Sequence, residues 1–164
     1  MAKKDTLKNL FWTISLFGTP FFYIPLTAYF LKVNPKLAIS LIFILASTEI
    51  TCGAIKFIYP KERPIPMPRN TLFQKYLAGS FPSVHTARIT AFSIAIVSFY
   101  TNRLFVLAAL LVVIGVGYSR IYLKKHYFID VIWGFVIAAS ISLLALGMQD
   151  IILHYLRLLN VPFA

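Results

Sequence analysis

The sequence predicts an all-α integral membrane protein. Its fold class is a bundle of about five transmembrane helices, with the active site at one membrane interface. Three observations carry this expectation. The 164 residues are 59% hydrophobic and 13% charged, with mean hydropathy +0.79. Soluble domains run near 45–50% apolar and about 25% charged, and a fold this small cannot hide so much apolar surface from water. Five apolar runs approach the roughly 20 residues that a helix needs to cross hydrocarbon. Finally, 16 Lys and Arg stand against 5 Asp and Glu, a net charge of +11, and they sit at the ends of the apolar runs, where loops meet anionic headgroups. Nucleic-acid binding fits that placement poorly. The composition excludes disorder. The single Cys52 excludes a disulfide scaffold and argues against a Cys-based zinc site. Residues 1–164 read as one domain.

The first run is Phe11–Leu31. Lys3, Lys4 and Lys8 precede it as in a signal peptide, but it is too long for one and no small-residue cleavage site follows. It is expected to be a retained helix, kinked by Pro20 and Pro25. Asn34-Pro35 marks a turn before the second run, Leu37–Tyr59. The third starts near Pro82 and ends at Tyr100. A tight turn, Thr101–Arg103, leads to the fourth, Leu104–Tyr122. The fifth starts near Tyr127 and reaches about Gly147, with a continuation to Leu159 left open. The one long connection, Pro60–Phe81, carries Pro60, Pro64, Pro66 and Pro68 and is expected to be extended. Within it, Leu72-Phe73 and Tyr76-Leu77 suit the membrane surface. Five spans place the termini on opposite sides. The N-terminus, the Pro60–Phe81 connection and the Leu123–His126 turn then share one side.

Charged groups near hydrocarbon are costly and are functional candidates by default. Glu49, Lys56, Arg63, His85, Arg88, Arg120, His126 and Asp130 qualify. Lys56, Arg63, His85, Arg120, His126 and Asp130 map to the same side. Fixed cations suit a phosphate, and two histidines suit nucleophilic attack and proton delivery. His126 and Asp130 are four apart, hence neighbours on a helical face. Asp130 would accept from one imidazole nitrogen and leave the other as nucleophile. Pro82-Ser83 before an apolar helix reads as a helix start, whose N–H groups attract anions. Each residue alone also has a plainer reading: Lys56 as a snorkelling lysine, Ser83 as an N-cap, His126 as an interfacial histidine.

The spacings Lys56-x6-Arg63-Pro64, Pro82-Ser83-Val84-His85 and Ser119-Arg120-x5-His126-x3-Asp130 resemble the three blocks of the type 2 phosphatidic acid phosphatase (PAP2) family. The resemblance covers nearly half the chain. Two departures stand out. The family usually has Gly where this chain has Val84, and six spans are common where five are counted here. The resemblance implies a metal-independent phosphatase with no cofactor. His126 would form a phosphohistidine, Asp130 would orient it, and His85 would protonate the leaving oxygen and then activate water. Lys56, Arg63, Ser83 and Arg120 would bind the phosphoryl oxygens, as phosphoryl transfer rests mostly on positioning and charge stabilisation.

Arg88, Lys124 and Lys125 are possible headgroup contacts, with interfacial anchoring the alternative for the two lysines. Glu49 would pair with Lys56 or hydrogen-bond within the bundle. The expected partners are the bilayer and a phosphorylated lipid: lipid A, a polyprenyl diphosphate or a phospholipid. Lipid A 1-phosphate is favoured, and no nucleic acid or obligate protein partner is implied. Two other classes compete: a small basic channel or assembly factor, which would not need both histidines, and a vanadate-dependent peroxidase, against which the apolar spans argue. The resemblance implies a bacterial inner membrane with the site facing the periplasm, whereas the Lys/Arg balance points to the cytoplasm.

Overall fold

The computed structural model describes residues 2–149 together with Ile151, His154 and Leu158, with side chains from Asp5 onward. Helices dominate. The first expected span is broken in two: α1 (Ala2–Ser15) and α2 (Pro20–Val33), joined by a 3-10 turn at Leu16–Gly18 and bent by 41°. The break falls at Pro20, the first residue of α2, which has no N–H to continue the ladder from α1. Thr19 is extended there and donates its N–H to the Leu16 carbonyl. Pro25 lies inside α2.

The helix α3 (Pro35–Ile58) starts as the Asn34-Pro35 pair predicts. Asn34 accepts from the Leu37 N–H at 3.1 Å, and Pro35 occupies a position whose N–H would be unused. The long connection is mostly irregular. Its surface stretch forms a short helix, α4 (Leu72–Ala78), started by a reciprocal Thr71–Gln74 capping box, with Leu72 and Phe73 exposed. Then come α5 (Val84–Phe99), α6 (Arg103–Tyr122) and α7 (Phe128–Gly147). Asn102 caps α6 through the Leu104 N–H at 2.8 Å. The continuation beyond Gly147 towards Leu159 falls largely outside the described residues.

Three helices, α3, α6 and α7, are long and apolar enough to cross a membrane, and the bent α1–α2 pair meets the same test together. The fifth apolar run is the shorter α5. It packs most heavily on α7, then on α3 and α6, so it is the central helix. At 16 residues it rises about 24 Å, less than a bilayer core of about 30 Å. Its neighbours rather than lipid enclose it. Ala87, Ala91 and Ala95 are fully buried, and residues this small let helices approach closely. The outer helices turn large apolar side chains outward: Phe21 is 88% exposed and Leu104 75%. With the helix lengths, this is the surface of a protein solvated by lipid tails.

Two glycines set how tightly the bundle closes. A Cβ on Gly134 of α7 would lie 2.5 Å from the Ser83 carbonyl oxygen, and one on Gly18 would lie 2.8 Å from both the Cβ and the carbonyl oxygen of His85. Gly134→Ala should therefore push α7 off the start of α5. The expected cost is about 1–3 kcal/mol, as for overpacking elsewhere, read as a lower Tm in detergent. Gly147→Ala, where nothing lies within 4 Å, is the control. Equal Tm for both variants would contradict this packing.

Candidate active site

The ends of three helices and one loop meet on one side of the bundle. Lys56 comes from the last turn of α3, and Lys61, Arg63 and Ser80 from the Pro60–Phe81 connection. Ser83 and His85 come from the start of α5, Arg120 from the last turn of α6, and Asp130 from the first turn of α7. His126 sits in the turn between α6 and α7. Ser80, Ser83 and Asp130 have no exposed surface, and Lys56, Arg120 and His126 are 4% exposed or less. The residues that the motif spacings single out are thus brought together.

The link between His126 and Asp130 differs from the expectation. Their side chains stand 4.0 Å apart at Nδ1 and Oδ2, beyond a hydrogen bond. The His126 Nδ1 instead pairs with the Ser80 carbonyl oxygen at 2.6 Å. A carbonyl only accepts, so Nδ1 carries the proton and donates, and Nε2 is the nitrogen with a lone pair to offer. Asp130 reaches His126 through that serine: the Ser80 hydroxyl donates to Oδ2 at 2.5 Å. Asp130 also accepts from Lys61 Nζ at 2.7 Å and from the Tyr127 N–H at 2.9 Å. The four-residue spacing predicted adjacency correctly. It could not show that a serine carbonyl from 46 residues away would occupy the position.

Ser80 is a residue that motif reading missed. Its N–H donates to the Lys61 carbonyl at 2.8 Å, so all three of its polar groups are used. Lys61 was missed too: it lies inside the six-residue gap between Lys56 and Arg63, where spacing says nothing about side-chain direction. Its ammonium pairs with Asp130 and lies 4.7 Å from the centre of the Tyr127 ring, a cation–π distance. The third omission is α1. Arg120 Nη1 donates to Ser15 Oγ, and Gly18 packs on His85. The break in the first span therefore sits against the site.

The cations are fixed in different ways. Lys56 Nζ donates to the Gly79 carbonyl and lies over the Tyr76 ring. Arg63 and Arg120 each keep a buried Nε with no hydrogen-bond partner among the described residues. Burial first, with some offset from the Asp130 charge, lowers the Arg63 pKa below its usual value. Burial likewise holds His126 well below its ordinary 6.5, and the charges of Arg63, Arg120 and Lys56 add to this. Both effects favour the neutral imidazole, the form that keeps a lone pair on Nε2. His85 lies within electrostatic reach of Arg120, Arg88, Arg63 and Lys56.

At the start of α5, the Ser83 hydroxyl pairs with Thr86 Oγ1 at 3.0 Å and makes no capping bond to the backbone. The first N–H groups of α5 remain available to an anion. The Ser83 N–H is tied to the Asp130 carbonyl at 2.9 Å. Val84 is 5% exposed and joins the apolar core with Ala87 and Ala91, so its side chain is spent on packing.

Arg88 departs from its expected role as a headgroup contact. It is held by Glu49 through two bonds of 2.7 Å, Nε to Oε2 and Nη2 to Oε1. Tyr76 donates to the same carboxylate. A bidentate guanidinium–carboxylate pair is strong and directional. It clamps α5 to α3 and α4, and it settles Glu49 on Arg88 rather than Lys56. Lys124 is exposed and Lys125 half-buried beside His126. Among the described residues, no group of three His, Cys, Asp or Glu could hold a metal ion.

The Ser80 relay makes a testable statement. Ser80→Ala removes the hydroxyl bond to Asp130 and keeps the carbonyl that holds His126. A hydrogen bond to a charged group is worth about 1.5–3 kcal/mol, so kcat should fall roughly ten- to a hundredfold, with a smaller change in KM. Wild-type kcat in folded Ser80→Ala protein would sever Asp130 from His126.

Comparison with known proteins agrees with this arrangement. Residues 37–151 match the family model of the PAP2 superfamily. An undecaprenyl-diphosphatase of Sulfolobus acidocaldarius is 26% identical over 149 residues, covering 88% of this chain and 72% of the relative. The crystal structure of Aquifex aeolicus LpxE superposes with a TM-score of 0.75 at 22% identity, over 87% of this chain and 86% of that one. A PAP2-type phosphatidylglycerolphosphate phosphatase from Bacillus subtilis gives 0.71 at 19% identity, over 88% and 77%. The two structures share the fold, and the family match spans all three motif blocks. This chain belongs to the PAP2 superfamily and is a multi-pass membrane phosphatase.

Proposed function

We propose that the protein dephosphorylates a membrane lipid without a metal ion, through a phosphohistidine on His126, and that lipid A 1-phosphate is its substrate. One observation carries the chemistry: Arg63 and Arg120 each hold a buried Nε donor with no partner among the described residues and act electrostatically on an imidazole whose Nδ1 is already committed. Such donors are costly to bury unless an anion completes them. His126 Nε2 attacks phosphorus as the bond to the leaving oxygen breaks, and His85 gives that oxygen a proton. His85 then takes a proton from water. The water oxygen bonds to phosphorus, the P–N bond breaks, and inorganic phosphate leaves. Lys56, Arg63, Arg120 and the α5 N–H groups hold the equatorial oxygens, supplying charge that Mg²⁺ supplies elsewhere. The lipid tails stay in the bilayer while the headgroup reaches the site from the side.

The choice of lipid A rests on similarity in size and motif blocks, and the relative named LpxE superposes over most of both chains. Undecaprenyl diphosphate and phosphatidylglycerol phosphate are the competing substrates, each favoured by one similar protein. Phosphate release from these three lipids in detergent, with and without EDTA, ranks them. Activity should persist in EDTA and disappear in His126→Ala. Loss in EDTA that Mg²⁺ restores, or turnover by His126→Ala, would overturn the mechanism.

The proposed location is a bacterial inner membrane, with the site on the periplasmic face. Asn70 is exposed on the connection that carries Lys61 and Arg63. Asn70→Cys on a Cys52→Ala background should react with a membrane-impermeant thiol reagent on intact cells with a permeable outer membrane. Labelling only after lysis would place the site in the cytoplasm.

A further inference from the structure

Beside the catalytic cations lies a groove of about 600 Å³ between α1 and the turn that follows α6. Lys8 and Trp12 of α1 form one wall and Tyr122, Lys124 and Lys125 the other, with Ile65 and Asp5 at the edges. Three ammonium groups face one carboxylate, so the groove carries a net positive charge. Its walls are close neighbours, along the chain, of the residues at the candidate site. Ile65 is two residues from Arg63, Tyr122 two from Arg120, and Lys125 adjoins His126. Arg63, Arg120 and His126 are not themselves part of the groove's lining, so an anion held there lies apart from one held by those three residues. Lys125 couples the two regions: burial lowers its pKa, and the charges of Arg63, Arg120 and Lys8 lower it further. Lys124 has a φ of 53°, a left-handed conformation that residues other than glycine rarely adopt. None of these lysines has a role in the phosphoryl transfer described above.

We propose that this groove is a second anion subsite, which takes a further phosphate or carboxylate of the same lipid headgroup, separated from the scissile phosphate by a spacer such as a sugar. Charge complementarity argues for an anion, and the apolar Trp12, Ile65 and Tyr122 suit the face of the spacer. Lys125 lies within electrostatic reach of Arg63 and Arg120 and adjoins His126, which argues that the anion belongs to the substrate rather than to a neighbouring lipid. A diphosphate, whose phosphates share one oxygen, would not extend so far. The inference rests on the lipid phosphatase reading and narrows its substrate class.

The test compares one disaccharide glycolipid carrying a phosphate on each sugar with the same glycolipid carrying only the scissile phosphate, both in neutral detergent. The wild-type protein should favour the doubly phosphorylated form by about tenfold in kcat/KM, mostly through KM, as expected for charge-assisted contacts made equally in ground and transition states. The doubly substituted Lys8→Ala, Lys124→Ala protein should lose most of that preference, and Lys8→Arg with Lys124→Arg should restore it. Equal losses on both glycolipids, or no wild-type preference, overturn the subsite and leave the phosphatase reading standing. If the singly phosphorylated form gains the same advantage when phosphatidylglycerol is mixed in, a neighbouring lipid occupies the groove and the proposal fails. A wild-type protein that turns over neither glycolipid, nor any other lipid phosphate, overturns the phosphatase reading and the subsite together.

Discussion

Asp130 is a carboxylate with no contact with solvent, and such a group is tolerated only while its oxygens are bonded and its charge is compensated. Here Lys61, the Ser80 hydroxyl and the Tyr127 N–H satisfy it. The Asp130 carbonyl oxygen takes the Ser83 N–H. One residue therefore joins the long connection, the start of α5 and the start of α7. The His126 imidazole depends on the same hub at one remove, through the Ser80 carbonyl.

That dependence explains the close packing around the hub. Gly134 lets α7 approach the Ser83 backbone, and Gly18 lets the first span approach His85. The 41° break between α1 and α2 places Ser15 and Gly18 at the level of the site. The N-terminal helices thus help to enclose the candidate site, since Ser15 accepts from Arg120.

The cations form two groups with different physical roles. Lys61 and Arg88 are neutralised by Asp130 and Glu49, and they hold elements in place. Arg63 and Arg120 retain buried donors without partners among the described residues, which is a poor arrangement for stability and a good one for an oxyanion. A protein stabilises its fold with the first group and keeps the second poised for its ligand. The lysines of the neighbouring groove extend the same positive field outward.

The sequence by itself determined the helical bundle, because the length of each apolar run against the bilayer is a local property that needs no tertiary contact. It also marked the start of α3, through the Asn34-Pro35 turn signal, since such a signal acts within one turn. The motif spacings placed His85, Arg120, His126 and Asp130 at one end of the bundle, because helix ends follow from the same lengths. Only the tertiary structure decided which partner each charge takes. Spacing put Asp130 against His126, but a fully buried carboxylate is shared among whichever donors reach it from distant segments, and Lys61 and Ser80 reached it first. Arg88 turned to Glu49 for the same reason: a bidentate partner on a neighbouring helix outweighs an exposed headgroup. The groove beside His126 is likewise invisible in one dimension. Its walls come from α1 and from residues 122–125, and their separation is set by how the bundle packs.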